Sequence, residues 1–331
     1  MGVYIIAEAG VNHNGSVELA KQLCLAAKEA GADAVKFQTW ITEKIITRTV
    51  RQADYQAENT GNAQSQFDML KKLELSHHQF REIKAYCDEI DIQFASTADE
   101  PDSLDFLVDL GIPFIKLGSG EIGNIPYLRY AGSKKMPVIL STGMSMLADV
   151  ERSVNALREG GAEDITLLHC TTNYPCPYDS VNLRAMNTLG NAFSLPVGYS
   201  DHTVGIEVPI AAAAMGATII EKHFTLNRHL EGPDHLASTE PEEFRAMTTA
   251  IRNVEAALGT SRKAPTPAEM EISQVVLKRI VAARPIPAGK LLEPEDLSVK
   301  RSDTGLPASV WDLVVGTVAK KDYRVDEGVE F

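Results

Sequence analysis

The sequence predicts a (β/α)8 barrel followed by a small second domain. Eight stretches rich in β-branched and aromatic residues alternate with amphipathic stretches over about 260 residues. Several amphipathic stretches end on a glycine, Gly31, Gly111, Gly161 and Gly216, where a helix closes through a left-handed residue. After residue 275 the alternation stops, and short apolar pieces gather around turns in IVAARPIPAGKLL and VAKKDYRVDEGVEF. A doubly wound sheet is the alternative for the first part. The expected division is a barrel over residues 1–258, a linker over 259–275 rich in Pro, Thr and charge, and a compact module over 276–331.

With 331 residues, 44% hydrophobic and 23% charged, the chain has the composition of a folded globular protein. Its formal charge of −13 argues against nucleic acid or an anionic membrane surface as partner. No apolar run reaches membrane-spanning length, and MGVYIIAEAG is too short and uncharged for a secretory signal, so a cytoplasmic location is expected. Cys24, Cys87, Cys170 and Cys176 sit among apolar or strand-like neighbours and read as reduced thiols.

Taken in order, the first strand, VYIIAEA, ends near Glu8, and the NHNG turn after it carries His13. In the second, DAVKFQT, alternation sends Val35 and Phe37 toward the helices and Lys36 and Gln38 toward the interior. Residues 40–76 then form a polar insertion of the length expected for a lid or wall of a site. His77 and His78 begin a helix and read as surface residues. After the third strand, IQFAST, the fourth, PFIKLGS, turns Lys116 inward by the same parity, with Ser119 and Glu121 following. The fifth, VILSTG, and the sixth, ITLLHCT, deliver Ser141, Thr142, Thr171 and Thr172. VGYSDHT, the helix VPIAAAAMGA and TIIEKHF complete a βαβ unit with His202 and His223 at the ends of its strands. Asp234 and His235 lie in the loop beyond.

Two lysines facing the interior of an acidic protein need anions, because a buried unpaired ammonium is costly. A structural salt bridge satisfies that need, and so does an anionic ligand. Hydroxyls and N–H groups at four strand ends can cradle a phosphate. Two imidazoles on neighbouring strands, with Asp201 and Glu221 beside them, can bind one ion, although a lone histidine at a strand end is more often structural. Without cysteines they make no structural zinc site; water and substrate oxygens would complete the shell, which suits Mn²⁺ or Mg²⁺.

IIAEAGVNHNG, GADAVKFQT, IKLGSGE, ILSTGM, LLHCTTNYP, VGYSDHT, EKHFT and GPDH, in this order, resemble the bacterial sialic acid synthase family, whose members make N-acetylneuraminate or legionaminate. RPIPAGKLLEPEDLSVKR is similar to the antifreeze-like (SAF) domain that follows the barrel there. The resemblance implies a transferase condensing phosphoenolpyruvate with an N-acetylated mannosamine-type sugar, N-acetylmannosamine or 2,4-diacetamido-2,4,6-trideoxymannose, to give a nine-carbon 2-keto sugar acid and phosphate by C–O cleavage. It implies Mn²⁺, with Mg²⁺ or Co²⁺ as substitutes, on His202 and His223. Lys36, Lys116, Ser119, Ser141, Thr172 and Ser200 would hold phosphoenolpyruvate. Gln38, Tyr174, Asp234 and Arg301 would bind the sugar, and Glu8 and Glu121 would be catalytic. A domain-swapped homodimer, in which Arg301 serves its own barrel or its partner's, is the implied assembly. Two departures stand out: some members carry Asn at the Thr172 position, and the usual KRPGNG-like turn reads KRSDTG here. The rival readings are a synthase of 3-deoxy sugar phosphates, which would want an additional arginine-rich site, a Schiff-base aldolase, and a non-catalytic sugar-binding barrel.

Overall fold

A computed structural model of the chain describes residues 2–50 and 65–331. The chain divides into two compact units, Met1–Gly259 and Thr260–Phe331. In the first, eight strands close into a barrel: β1 (Tyr4–Gly10), β2 (Ala34–Thr39), β3 (Gln93–Ala98), β4 (Ile115–Leu117), β5 (Val138–Ser141), β6 (Ile165–His169), β7 (Val197–Asp201) and β8 (Ile219–His223). All neighbours are parallel, and β8 returns to pair with β1. The doubly wound alternative is thereby excluded.

Helices follow the strands: α1 (Val17–Glu29) after β1, and α2 (Thr42–Ile45), α3 (Gln66–Leu73) and α4 (His77–Glu89) after β2. Then come α5 (Pro101–Leu110), α6 (Ile125–Ser133), α7 (Leu147–Gly160), α8 (Ala185–Phe193), α9 (Glu207–Ala214) and α10 (Pro241–Leu258). Residues 51–64, which hold much of the insertion expected to form a lid, lie outside the described residues. Gly111 and Gly161 close α5 and α7 with φ of 83° and 115°, the left-handed conformation expected of them.

Strand alternation sorts the side chains into two environments. Ile5, Val35, Phe37, Leu117, Leu140 and Ile220 point outward and are buried against the helices. On the inner face, Ile6, Ala95, Phe114, Ile139, Leu168 and Ile219 form an apolar floor. Gly198 faces that floor, where a Cβ would come within 2.7 Å of Leu168 Cδ2. One step further along the same strands the inward residues become polar: Glu8, Lys36, Thr97, Lys116, Ser141, Ser200 and Glu221, all buried. The interior is thus a packed plug with a polar cup at the C-terminal ends of the strands.

In the second unit, α11 (Pro267–Val276) is capped by Thr266 and Glu269 in a capping box and has no buried residue. The stretch read as linker therefore contains a helix. The antiparallel pair β9 (Lys278–Ala282) and β10 (Leu297–Arg301) and a short helix, α12 (Trp311–Val314), enclose a core of Ile280, Ile286, Leu292, Val314, Tyr323 and Val329. The two pieces gathered around turns in the sequence meet here through the bridges Ile286–Tyr323 and Leu291–Val318. No described helix is long and apolar enough to cross a membrane.

Candidate active site

Register brings the inward polar residues together. Glu8 stands opposite Lys36 on one side and His223 on the other. Its carboxylate lies 2.6 Å from Lys36 Nζ and accepts a 3.0 Å hydrogen bond from Gln38 Nε2. Lys36 also donates to Thr97 Oγ1 at 3.0 Å, and Lys116 donates to Ser141 Oγ at 2.9 Å. Glu221 sits between the lysines, 3.6 Å from Lys36 and 3.5 Å from Lys116, and accepts from Ser200 Oγ at 2.8 Å.

These contacts set the ionisation. Burial opposes charge on Glu221, yet Lys116 and Lys36 outweigh it and hold its pKa below the usual range. Burial, with the charge of Glu221, raises Glu8 against the pull of Lys36. Lys116 is lowered, first by burial. Lys36 loses to burial but gains more from Glu221 and Glu8, and ends above its ordinary value. The cup therefore holds one carboxylate kept charged by two lysines, and a second carboxylate and a lysine whose charges burial opposes.

A cavity of about 220 Å³ opens over these groups. Lys36, Lys116, Ser119, Ser141, Thr172 and Ser200 all line it, as do Glu8, Gln38, Tyr174, His202 and His223. Gly143 permits the crowding on one side: a Cβ there would lie 2.3 Å from Thr172 Oγ1 and 2.8 Å from Ser119 Oγ. Its N–H donates to Ser119 Oγ at 3.0 Å.

The two imidazoles face one another, ring centroids 5.4 Å apart, with the Tyr174 ring 4.2 Å from His202. His202 Nδ1 is 2.7 Å from the Thr171 carbonyl and donates to it as the Nδ1–H tautomer, leaving Nε2 as a free lone pair. His223 Nδ1 is buried without a hydrogen-bond partner. Burial holds both histidines below the ordinary imidazole value, so both are neutral, as ligation requires. Among the described residues no group of three or more His, Cys, Asp or Glu is arranged for a metal. The pair thus fits an ion held by two protein ligands and completed by oxygens from elsewhere.

Of the other barrel residues singled out in the sequence, Glu221 and Cys170 line this cavity and the rest do not, and the expectations for Asp201 and His77 need correction. Asp201 faces away from the cavity: Lys222 donates to it at 2.5 Å on the helix side of the sheet, where both are buried. Glu121 does not line the cavity; its carboxylate accepts from Asn124 Nδ2 at 2.6 Å. Thr142 donates to the Leu168 carbonyl. His77 is half-buried and stacks on Phe106 with centroids 3.9 Å apart. His235, in the loop after β8, is buried against Thr225. Asp234 lines a second cavity beside the first. Arg301 ends β10 with its side chain exposed. Sequence reasoning missed Thr97 and Asp99, both of which line the cavity. Burial and the charge of Glu121 push Asp99 up to about 7. The same inward parity that marked Lys36 would have found Thr97 on β3.

The comparisons agree with this geometry. Residues 23–263 match the NeuB family, and residues 279–329 match the SAF domain. An N,N'-diacetyllegionaminic acid synthase of Legionella pneumophila is 46% identical over 96% of this chain and 90% of its own. Another of that name from Campylobacter jejuni is 43% identical over 98% of this chain and 97% of its own. Among solved structures, an N-acetylneuraminic acid synthetase from Leptospira borgpetersenii in complex with citrate superposes with a TM-score of 0.72 at 32% identity, covering 83% of this chain and 93% of its own. A closed barrel with a lysine-lined polar cup, followed by a SAF domain and matched over nearly its whole length, shows that the chain belongs to the NeuB family.

Proposed function

We propose that the chain condenses phosphoenolpyruvate with an open-chain N-acetylated sugar of mannosamine configuration, forming a nine-carbon 2-keto sugar acid and phosphate. The observation that carries this is the joining of Lys36, Lys116 and their hydroxyl neighbours to two neutral facing imidazoles in one cavity. The names of the relatives support it.

In this reading Lys36 and Lys116, with Ser119, Ser141, Thr172 and Ser200, hold the phosphate and carboxylate of phosphoenolpyruvate. His202 and His223 would hold a divalent ion, Mn²⁺ with Mg²⁺ or Co²⁺ as substitutes, which would supply Lewis-acid polarisation of the sugar aldehyde. The enol carbon C3 bonds to the aldehyde carbon, whose oxygen takes a proton. Glu8, with its raised pKa and its place between Lys36 and His223, is positioned to give that proton. The C2=C3 double bond opens in that step and leaves C2 electron-poor; water adds there and returns a proton to Glu8. The C–O bond to phosphate then breaks with the bridging oxygen leaving on phosphate, which takes the proton of the C2 hydroxyl as the ketone forms. Glu121, also raised by burial, is proposed as an acid–base group at the rim. Gln38, Tyr174 and Asp234 bind the sugar chain. Arg301 is proposed to hold an acetamido oxygen, from the same subunit or from the partner in a domain-swapped homodimer.

Phosphate release from phosphoenolpyruvate and N-acetylmannosamine tests this. We expect chelation to abolish it, Mn²⁺ to restore it, and ¹⁸O in the C–O–P bridge to appear in phosphate. Full activity after chelation, or label kept in the sugar acid, would overturn the mechanism.

A further inference from the structure

The charged side chains lining the cup are Lys36 and Lys116 against Glu8, Asp99 and Glu221. His202 and His223, held neutral by burial, add no charge. Carboxylates therefore outnumber ammonium groups before any anion enters. Phosphoenolpyruvate brings a carboxylate and a phosphate that is doubly ionised at mildly alkaline pH, since the second proton of a phosphate monoester leaves at about pH 6. Placing that trianion here leaves a large excess of negative charge shielded from water, and a divalent ion on the imidazoles would offset only part of it.

A proton taken up by one of the carboxylates relieves the excess, and the three are not equivalent. Glu221 lies between Lys36 and Lys116, which keep it charged. Glu8 pairs with Lys36 at 2.6 Å and accepts from Gln38. Asp99 is different: among the described residues no cation pairs with it, and the lysines attract it only at a distance, against the charges of Glu121 and Glu8.

The position of Asp99 follows from β3. Two residues beyond Thr97 in extended chain, it falls on the same side of the sheet, one step nearer the mouth of the cup. Its N–H bonds the Thr39 carbonyl at 3.4 Å, so the pairing with β2 reaches it. Thr97 itself accepts from Lys36 Nζ at 3.0 Å and stands opposite Lys116. Asp99 thus overlooks both ammonium groups, and burial with the charge of Glu121 brings its pKa up to about 7. The groups around it are Glu8 from β1, Lys36 from β2, Lys116 from β4 and Glu121 beyond β4; the Tyr127 hydroxyl of α6 donates to the neighbouring Ala98 carbonyl at 2.6 Å.

We propose that Asp99 is the proton-accepting group of the cup: ionised in the free protein at mildly alkaline pH, it takes one proton from solvent as phosphoenolpyruvate enters and donates the new O–H to an oxygen of that ligand. One carboxylate, one proton and one trianion become a carboxylic acid beside the trianion. The proposal rests on the condensation reading above and adds to it the group that admits the ligand's charge. Because the ligand raises a pKa that starts at about 7, uptake should approach one proton per ligand above that pH and fade below it, where Asp99 is already protonated. Both histidines titrate below this window, as does the ligand's phosphate.

The test adds phosphoenolpyruvate to the Mn²⁺-loaded protein in weakly buffered solution with an indicator dye, at about pH 8, and counts protons against bound ligand. The wild type should take up about one proton per site. Asp99→Asn puts an N–H donor in place of the O–H and should bind without uptake. Its Kd should stay near the wild-type value at about pH 6.5 and be about tenfold tighter or more at about pH 8.5, because wild-type affinity falls by up to about tenfold per pH unit over that range. Asp99→Ala should also lose uptake but bind more weakly than Asp99→Asn. Wild-type binding without uptake overturns the proposal, and so does uptake that persists in Asp99→Asn, which would place the proton on Glu8, Lys116 or Asp234. Infrared difference spectra of the wild type decide if the variants do not fold: binding should bring up a protonated-carboxyl band that shifts when aspartate is labelled with ¹³C, and a band that shifts only with labelled glutamate overturns the assignment. In each of these failures the condensation reading still stands. If phosphoenolpyruvate does not bind, that reading falls and takes this proposal with it.

Discussion

The barrel carries two buried sets of ion pairs, one on each side of the sheet, which meet on β8 at Glu221 and Lys222. Outside, Lys222 donates to Asp201 at 2.5 Å and to the Thr203 carbonyl at 2.9 Å. Asp201 is further satisfied by the backbone N–H and hydroxyl of Thr203. Inside, Lys36 pairs with Glu8, Lys36 and Lys116 share Glu221, and Glu221 Oε2 is buried without a hydrogen-bond partner. The outer pair is closed, with its polar atoms used up by protein. The inner set is open, and its spare capacity points into a cavity. The same residue types at the same depth thus serve a scaffold on one face and a ligand on the other.

Substitutions should separate the two sets. The largest effect is expected outside. Asp201→Ala leaves the Lys222 ammonium buried and unpaired, and should destabilise the fold by about 3–5 kcal/mol in urea unfolding. Loss of activity with unchanged stability would show that the outer pair is not a closed structural unit. Inside, Lys116→Met should change stability by less than about 1 kcal/mol, because Glu221 keeps Lys36. Turnover should nevertheless drop by about 10²–10³-fold, the scale for losing one preorganised charge contact. Equal losses of stability in both variants would erase the distinction.

The smallest effect concerns pH. His202 and His223 have folded pKa values below the ordinary 6.5. The unfolded chain therefore binds protons more tightly than the folded one below that pH. Their contribution to stability is complete above about pH 6.5 and is lost as pH falls toward the folded values, at up to about 1.4 kcal/mol per pH unit for each group. His223→Asn should flatten the slope of unfolding free energy between pH 6.5 and 5. An unchanged slope would mean that His223 is not held neutral by its burial.

Much of the site was legible because strand alternation is a local property. Period-two parity along VKFQT and FIKLGS is enough to send Lys36 and Lys116 inward, and position at strand ends placed Glu8, His202 and His223. Asp201 was placed by its nearness to His202 and not by that parity. Its carboxylate is one residue from His202 in sequence, yet adjacent residues of a strand face opposite sides of a sheet.

The sequence by itself determined the order of strands and helices, the small domain after them, and which lysines and histidines point into the barrel. These follow from spacing within single segments. The tertiary structure decided who meets whom. Register places Glu8 between Lys36 and His223, and pairs Ser200 with Glu221. It also brings Thr97 opposite Lys116. Helix α3, an amphipathic segment within the insertion, became a cavity wall only because it packs against Val11 and Trp40. Apolar spacing shows that a helix has a face to bury; what that face covers depends on contacts between segments far apart in the chain.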